Sequence, residues 1–138
     1  MILLDTSGML AALDATQTRH EAAAAAVRAA QPPLLLSPFV LCELDYLVTK
    51  SLGQTAELAL LGEVASGAYR LEGFEPGDVA DARVVAAAHR DLRLGLADAS
   101  LVVLAYRHDA HDVLTLDERH FRVLQGPRGP FRILPADA

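Results

Sequence analysis

Residues 2–7 read Ile2-Leu3-Leu4-Asp5-Thr6-Ser7, a short apolar run that ends at a carboxylate. Similar runs occupy residues 34–36 and 112–116, and the second is followed at once by Asp117. Continuous apolar runs of this length are typical of strands that are buried on both faces, as in a parallel sheet. Weaker strand candidates lie at residues 69–71 and 131–134.

Helical segments fill the intervals between these runs. The clearest one begins at Ser37-Pro38, an N-cap followed by proline at the first helical position, and Gly53 ends it. Helices are predicted at residues 6–15, 21–30, 38–52, 54–65, 76–92, 97–108 and 118–124. This alternation predicts a three-layer α/β/α fold with a short, mainly parallel central sheet, and the length predicts one domain over residues 1–138.

The composition constrains the setting in which the chain works. Hydrophobic residues make up 52% of the chain, but no run approaches the roughly 20 apolar residues of a membrane helix. The N-terminus lacks the basic segment of a signal peptide. Cys42 is the only cysteine, which excludes an intramolecular disulfide and favours a reducing compartment. We therefore expect a cytoplasmic protein without a membrane association.

The net charge of −6 is unusual for a protein that binds nucleic acid, because phosphates favour a basic surface. Metal ions held by clustered carboxylates would offset part of this charge. Lys50 is the only lysine, so the other basic residues are arginines, which suit bidentate phosphate contacts.

Two acids, Asp5 and Asp117, each follow a predicted buried strand. If these strands are parallel, both carboxylates emerge at the carboxyl edge of the sheet, where ligands bind in open α/β folds. A helix cap is the alternative role for either residue.

Glu43 lies in the helix predicted at residues 38–52. Its neighbours at i−4, i−3 and i+4 are Phe39, Val40 and Leu47, so we expect it to face the core. A charge there needs a cation, a proton or an arginine, and a buried Glu–Arg pair is the alternative. Asp45 has similar surroundings, so periodicity alone does not decide between the two acids.

Asp98 occupies the first turn of an apolar helix, where the helix dipole alone explains a carboxylate. Several carboxylates that converge without arginines would repel and raise one another's pKa. Mg²⁺ or Mn²⁺ would remove this penalty, because both ions prefer oxygen ligands. The matching reaction is metal-assisted hydrolysis of a phosphodiester.

Four short motifs occur in order along nearly the whole chain. They are Leu4-Asp5-Thr6-Ser7, Ser37-Pro38-Phe39-Val40-Leu41-Cys42-Glu43-Leu44, Gly95-Leu96-Ala97-Asp98-Ala99-Ser100 and Leu114-Thr115-Leu116-Asp117-Glu118-Arg119-His120-Phe121. In this order and spacing the chain closely resembles the PIN-domain ribonucleases, and among them the VapC-type toxins of type II toxin–antitoxin systems.

The resemblance implies a PIN-like fold and a catalytic quartet of Asp5, Glu43, Asp98 and Asp117 that holds Mg²⁺ or Mn²⁺. It implies that Thr6 or Ser7 supports the first carboxylate or a metal-bound water. It also implies endonucleolytic cleavage of structured or looped RNA, such as tRNA or rRNA, with 5′-phosphate and 3′-hydroxyl products that stop translation. A homodimer and a cognate VapB-type antitoxin are the implied partners.

The chain departs from the family pattern at His120, where many relatives carry an aspartate. If that aspartate helps to bind a second metal ion, this protein holds the ion weakly or relies on Asp117 alone.

Other functional classes fit the sequence less well. Aspartate-based phosphatases need a second aspartate two residues after the first, and position 7 is serine. A P-loop motif is absent. The non-enzymatic alternative is a catalytically weak PIN-like module that binds RNA or protein. Such a module would be expected to lack one or more of the four acids, and this chain has all of them.

Overall fold

A parallel sheet lies at the centre of the computed structural model, which describes all residues from Met1 to Ala138. The strands are β1 (Ile2–Leu4), β2 (Leu34–Leu36), β3 (Arg70–Leu71), β4 (Asp112–Leu114), β5 (Gln125–Gly126), β6 (Gly129–Pro130) and β7 (Arg132–Leu134). Five of them form one sheet in the order β3-β2-β1-β4-β7, with every neighbouring pair parallel, whereas β5 and β6 form a separate antiparallel hairpin.

Helices connect the strands and cover the sheet. They are α1 (Thr6–Leu13), α2 (His20–Ala29), α3 (Pro38–Leu52), α4 (Gln54–Ala65), α5 (Pro76–Ala88), α6 (Leu96–His108) and α7 (Glu118–Phe121). Consecutive residues of a strand point to opposite faces of the sheet, and all three residues of β1 are at most 1% exposed. Both faces are therefore covered, which confirms the three-layer α/β prediction. No helix is both long enough and apolar enough to span a membrane.

The predicted helix bounds are correct where local signals set them. Ser37 caps α3 by accepting a hydrogen bond from the backbone of Phe39, and α3 and α4 have the predicted ends. The helix predicted through residue 92 is shorter, because the backbone leaves the helical region at His89 and a separate 3₁₀ turn follows at Arg90–Leu92. The last helix is a single turn rather than the predicted seven residues.

Two buried serines join the start of α3 to α6. The hydroxyls of Ser37 and Ser100 lie 2.7 Å apart, and neither residue is exposed to solvent. Ser100 Oγ also donates to the carbonyl of Ala97, so it accepts the hydrogen bond from Ser37. This contact fixes the helix that carries Glu43 against the helix that carries Asp98.

A buried carboxylate, Glu72, anchors the other end of α6. It lies directly after β3 and pairs with Arg70 at 3.2 Å and with Arg107 at 3.4 Å, and it also contacts His108. Because basic side chains surround this acid, its burial needs no further cation.

We predict that Gly8→Ala destabilises the fold. Gly8 lies where α1 meets β4, and a Cβ there would come within 2.5 Å of the carbonyl oxygen of Leu114. Backbone cannot move aside as a side chain does, so we expect a loss of at least about 2 kcal/mol in the free energy of unfolding, measured in urea. Gly62→Ala is the matched control, since its Cβ meets no atom and alanine favours the helix. Equal stability of the two variants would contradict this packing.

Candidate active site

Asp5 is a nearly buried carboxylate at the carboxyl end of β1. It is 5% exposed, and its Oδ2 accepts hydrogen bonds from Thr115 Oγ1 at 2.6 Å and from Ser7 Oγ at 3.0 Å. Burial raises the pKa of Asp5, while these two hydrogen bonds oppose the shift. The side chain is therefore a desolvated carboxyl group whose hydrogen bonds come from hydroxyl groups, with no arginine or lysine paired to it.

The same two hydroxyls organise the segment that follows β4. Thr115 Oγ1 accepts a hydrogen bond from the backbone nitrogen of Asp117 at 2.9 Å, and Ser7 Oγ accepts one from the nitrogen of Leu116 at 2.9 Å. Thr115 was not among the residues predicted for the site. Its only sequence signal is a hydroxyl inside the apolar run of residues 113–116.

Asp98 and Asp117 meet on either side of His120. The imidazole Nδ1 of His120 lies 3.0 Å from the Oδ2 atom of each carboxylate. Asp117 also accepts a hydrogen bond from the backbone nitrogen of His120 at 3.1 Å, so it caps α7 as the alternative interpretation proposed. A cap and a place in the acidic cluster are compatible at this position.

The three aspartates interact electrostatically. Burial and the charge of Asp5 raise the pKa of Asp98 to about 6, against the opposing effect of His120. The charge of Asp117 adds to the increase at both Asp98 and Asp5. Asp5 and Asp117 were predicted from the strands to lie at one edge of the sheet, and the resemblance added Asp98. The three carboxylates lie close enough for their charges to interact.

Glu43 does not face the core as predicted. The buried residues of α3 are Val40, Leu44 and Val48, and Glu43 lies beside that stripe with its side chain exposed. It has no arginine partner; instead its Oε1 accepts a hydrogen bond from Thr6 Oγ1 at 2.7 Å. Glu43 thus reaches the site through the residue that follows Asp5.

Asp45, the acid that periodicity did not separate from Glu43, has a different environment. One of its carboxylate oxygens is buried without a hydrogen-bond partner, and the neighbouring carboxylate of Glu57 on α4 raises its pKa. Asp45 therefore faces α4.

The donor set fits a divalent cation. Ligand atoms of Asp98, Asp117 and His120 all lie within 4.8 Å of one another. None of the four predicted acids forms an ion pair with arginine or lysine. Thr6 and Ser7, predicted as alternatives, contact different acids, since Thr6 donates to Glu43 and Ser7 to Asp5.

The sequence profile described as "PIN domain" matches residues 2–126 of the chain. This chain belongs to the PIN-domain family. It is 39% identical to Ribonuclease VapC26 of Mycobacterium tuberculosis over 135 residues, which cover 97% of this chain and all of that protein. The predicted assignment to the VapC-type PIN ribonucleases is thereby confirmed.

Solved structures support the fold. VapC20 of Mycobacterium tuberculosis, described as a toxin that cleaves the sarcin–ricin loop, superposes with a TM-score of 0.78 at 22% identity, over 85% of this chain and 90% of that chain. VapBC2 of Rickettsia felis bound to a promoter DNA fragment gives 0.66 at 18% identity, over 96% and 98% of the two chains. FitAcB of Neisseria gonorrhoeae gives 0.58 at 23% identity, over 86% and 88%.

Replacement of the buried hydroxyl should test the network around Asp5. Thr115→Val removes the donor to Asp5 and leaves the backbone nitrogen of Asp117 unpaired, whereas Thr115→Ser retains the hydroxyl. We expect Thr115→Val to lower the free energy of unfolding at pH 7 by about 1–3 kcal/mol, and Thr115→Ser to lose less. A serine variant as unstable as the valine variant would assign the effect to packing of the methyl group.

Asp98→Asn should stabilise the metal-free protein at neutral pH. A carboxyl whose pKa rises from 3.8 to about 6 on folding favours the folded state only when protonated, so its ionisation lowers stability as the pH rises through this window. The increase in the free energy of unfolding of Asp98→Asn over the wild type should be small near pH 4 and reach up to about 3 kcal/mol above pH 6. Thermal denaturation in EDTA between pH 4 and pH 8 measures it, and a gain that is independent of pH would contradict the assignment.

Proposed function

We propose that this protein is a metal-dependent endoribonuclease toxin that cleaves structured or looped RNA and so inhibits translation. The observation that carries the proposal is the meeting of Asp5, Asp98 and Asp117 without any arginine or lysine partner. Folding pays an electrostatic cost to hold these charges together, and a divalent cation is the simplest partner that offsets it.

We assign Asp5, Glu43, Asp98 and Asp117 as the ligands of Mg²⁺ or Mn²⁺. When bound, the ion supplies Lewis-acid activation of water and of the scissile phosphate. Thr115 and Ser7 orient the carboxylate of Asp5.

Thr6 holds the exposed side chain of Glu43 towards this cluster. Because these hydroxyls belong to the elements that carry the acids, the ligands are positioned before an ion binds.

Two exposed arginines lie near acids of the cluster in the sequence, and we propose that they contact RNA. Arg93 precedes the helix that carries Asp98, and Arg119 follows Asp117 by two residues. Both side chains are exposed, and neither forms an ion pair. Guanidinium groups suit contacts with RNA phosphates, and they would offset part of the negative net charge.

Similar proteins support a substrate class and a partner. VapC20 is described as a toxin that cleaves the sarcin–ricin loop, and we propose a structured loop of rRNA or tRNA as the target here. The similar VapBC2 structure favours a VapB-type antitoxin, and we propose a homodimer as the toxin unit. One domain over residues 1–138 and a cytoplasmic location complete the proposal.

Cleavage of total RNA by the antitoxin-free protein tests this function. With Mg²⁺ or Mn²⁺ we expect discrete new 5′-phosphate ends, mapped by direct adapter ligation and sequencing, and their loss in EDTA. Asp5→Asn should lower the cleavage rate by at least about 100-fold, because it removes one charge of the ligand set. Asp81→Asn, at an exposed aspartate on α5, is the matched control and should retain full activity.

Two results would contradict the proposal. Cuts that persist in EDTA or in Asp5→Asn would show that another nuclease or another mechanism is at work. RNA binding without any cleavage, at millimolar metal, would instead support the alternative of a binding module.

A further inference from the structure

We propose that His120 is a direct ligand of the divalent ion through Nδ1, and that it shifts the preference of the site from Mg²⁺ towards Mn²⁺. The proposal rests on the proposed metal-dependent function and concerns one residue that departs from the family pattern. Its geometric basis is the placement of one imidazole nitrogen between two carboxylate oxygens of the acidic cluster.

The separations match those of neighbouring ligands around one ion. Nδ1 of His120 is 3.0 Å from an oxygen of Asp98 and 3.0 Å from an oxygen of Asp117. Two ligands about 2.1 Å from an octahedral ion, at right angles, are about 3.0 Å apart. Each of the two nitrogen–oxygen separations is therefore the one expected of adjacent ligands in a single coordination sphere.

The imidazole can change its hydrogen-bonding role when an ion binds. In the metal-free chain Nδ1 carries the proton and donates to Asp98, because a carboxylate only accepts. Coordination needs the Nδ1 lone pair, so the proton shifts to Nε2 and the ring stays neutral. Nε2 has no hydrogen bond to protein and His120 is 18% exposed, so water can accept this proton's hydrogen bond.

A second histidine–carboxylate contact shows why this one is suited to a metal. His108 contacts Glu72, but Arg70 and Arg107 already neutralise that acid. No basic residue other than the imidazole pairs with Asp98 or Asp117. A cation beside His120 would offset acidic charge that no arginine or lysine pairs with, whereas at Glu72 the arginines already do so.

Nitrogen ligation has a consequence for ion choice. Both ions prefer oxygen ligands, but Mg²⁺ retains water in preference to imidazole, whereas Mn²⁺, a first-row transition ion, accepts imidazole nitrogen more readily. An aspartate at position 120 would favour Mg²⁺, and the histidine favours Mn²⁺.

Pulsed electron paramagnetic resonance of the Mn²⁺-loaded protein tests the ligand directly. A bound imidazole nitrogen modulates the Mn²⁺ echo through its nuclear spin, and we expect this ¹⁴N coupling in the wild type and its loss in His120→Asp. His111→Gln removes a histidine outside the site and should retain the coupling. Circular dichroism and the melting temperature establish that each variant is folded. If a variant does not fold, the wild-type spectrum alone still decides whether a nitrogen binds the ion.

Competition between the ions supplies the second measurement. We expect the ratio of Mn²⁺ to Mg²⁺ affinity to fall about tenfold in His120→Asp and to be unchanged in His111→Gln. Stoichiometric Mn²⁺ binding to the wild type without ¹⁴N coupling would overturn the role of His120 and leave the quartet intact. Absence of any Mn²⁺ binding would overturn the quartet and His120 together.

Discussion

The site depends on a single desolvated carboxylate that is held by hydroxyl groups. Asp5 sits at the end of a strand buried on both faces, and its hydrogen bonds come from Thr115 and Ser7. This arrangement requires β1 and β4 to be adjacent and parallel, with Leu4 opposite Leu114. A slip of one residue would turn every side chain of the strand to the other face and separate the partners. The register of the sheet is therefore a condition for the chemistry.

Elements with strong local signals could be predicted from the sequence. The serine–proline start and the glycine stop determine α3, and the structure has the same ends. The prediction is wrong where tertiary contacts determine the end of an element. The strand predicted through residue 116 ends at Leu114. The nitrogen of Leu116 bonds to the hydroxyl of Ser7 instead of to a strand, and no local pattern specifies a partner 109 residues away.

The four acids were proposed from the sequence, but their environments could not be predicted from it. Glu43 was expected to be buried because its apolar neighbours lie at helical spacing, yet the buried stripe of α3 passes one residue away at Leu44. The buried stripe of α3 also includes Val40 and Val48. Beside this stripe, the helix surface carries partly buried side chains and the exposed Glu43. Periodicity identifies the helix face to within about one residue, and one residue is a rotation of about 100°. This angle separates a core acid from a ligand that can reach solvent.

A histidine rather than an aspartate at position 120 affects both the stability of the ion-free fold and the choice of ion. An aspartate there would add a fifth negative charge to the four predicted acids, strengthening the attraction for a cation and the repulsion in the ion-free protein. The imidazole removes that charge, donates to Asp98 and lies 3.0 Å from an oxygen of Asp117, so it lowers the electrostatic cost of folding without metal. The same exchange replaces an oxygen donor by nitrogen. Greater stability of the ion-free fold and a narrower choice of ion are therefore two consequences of one side chain.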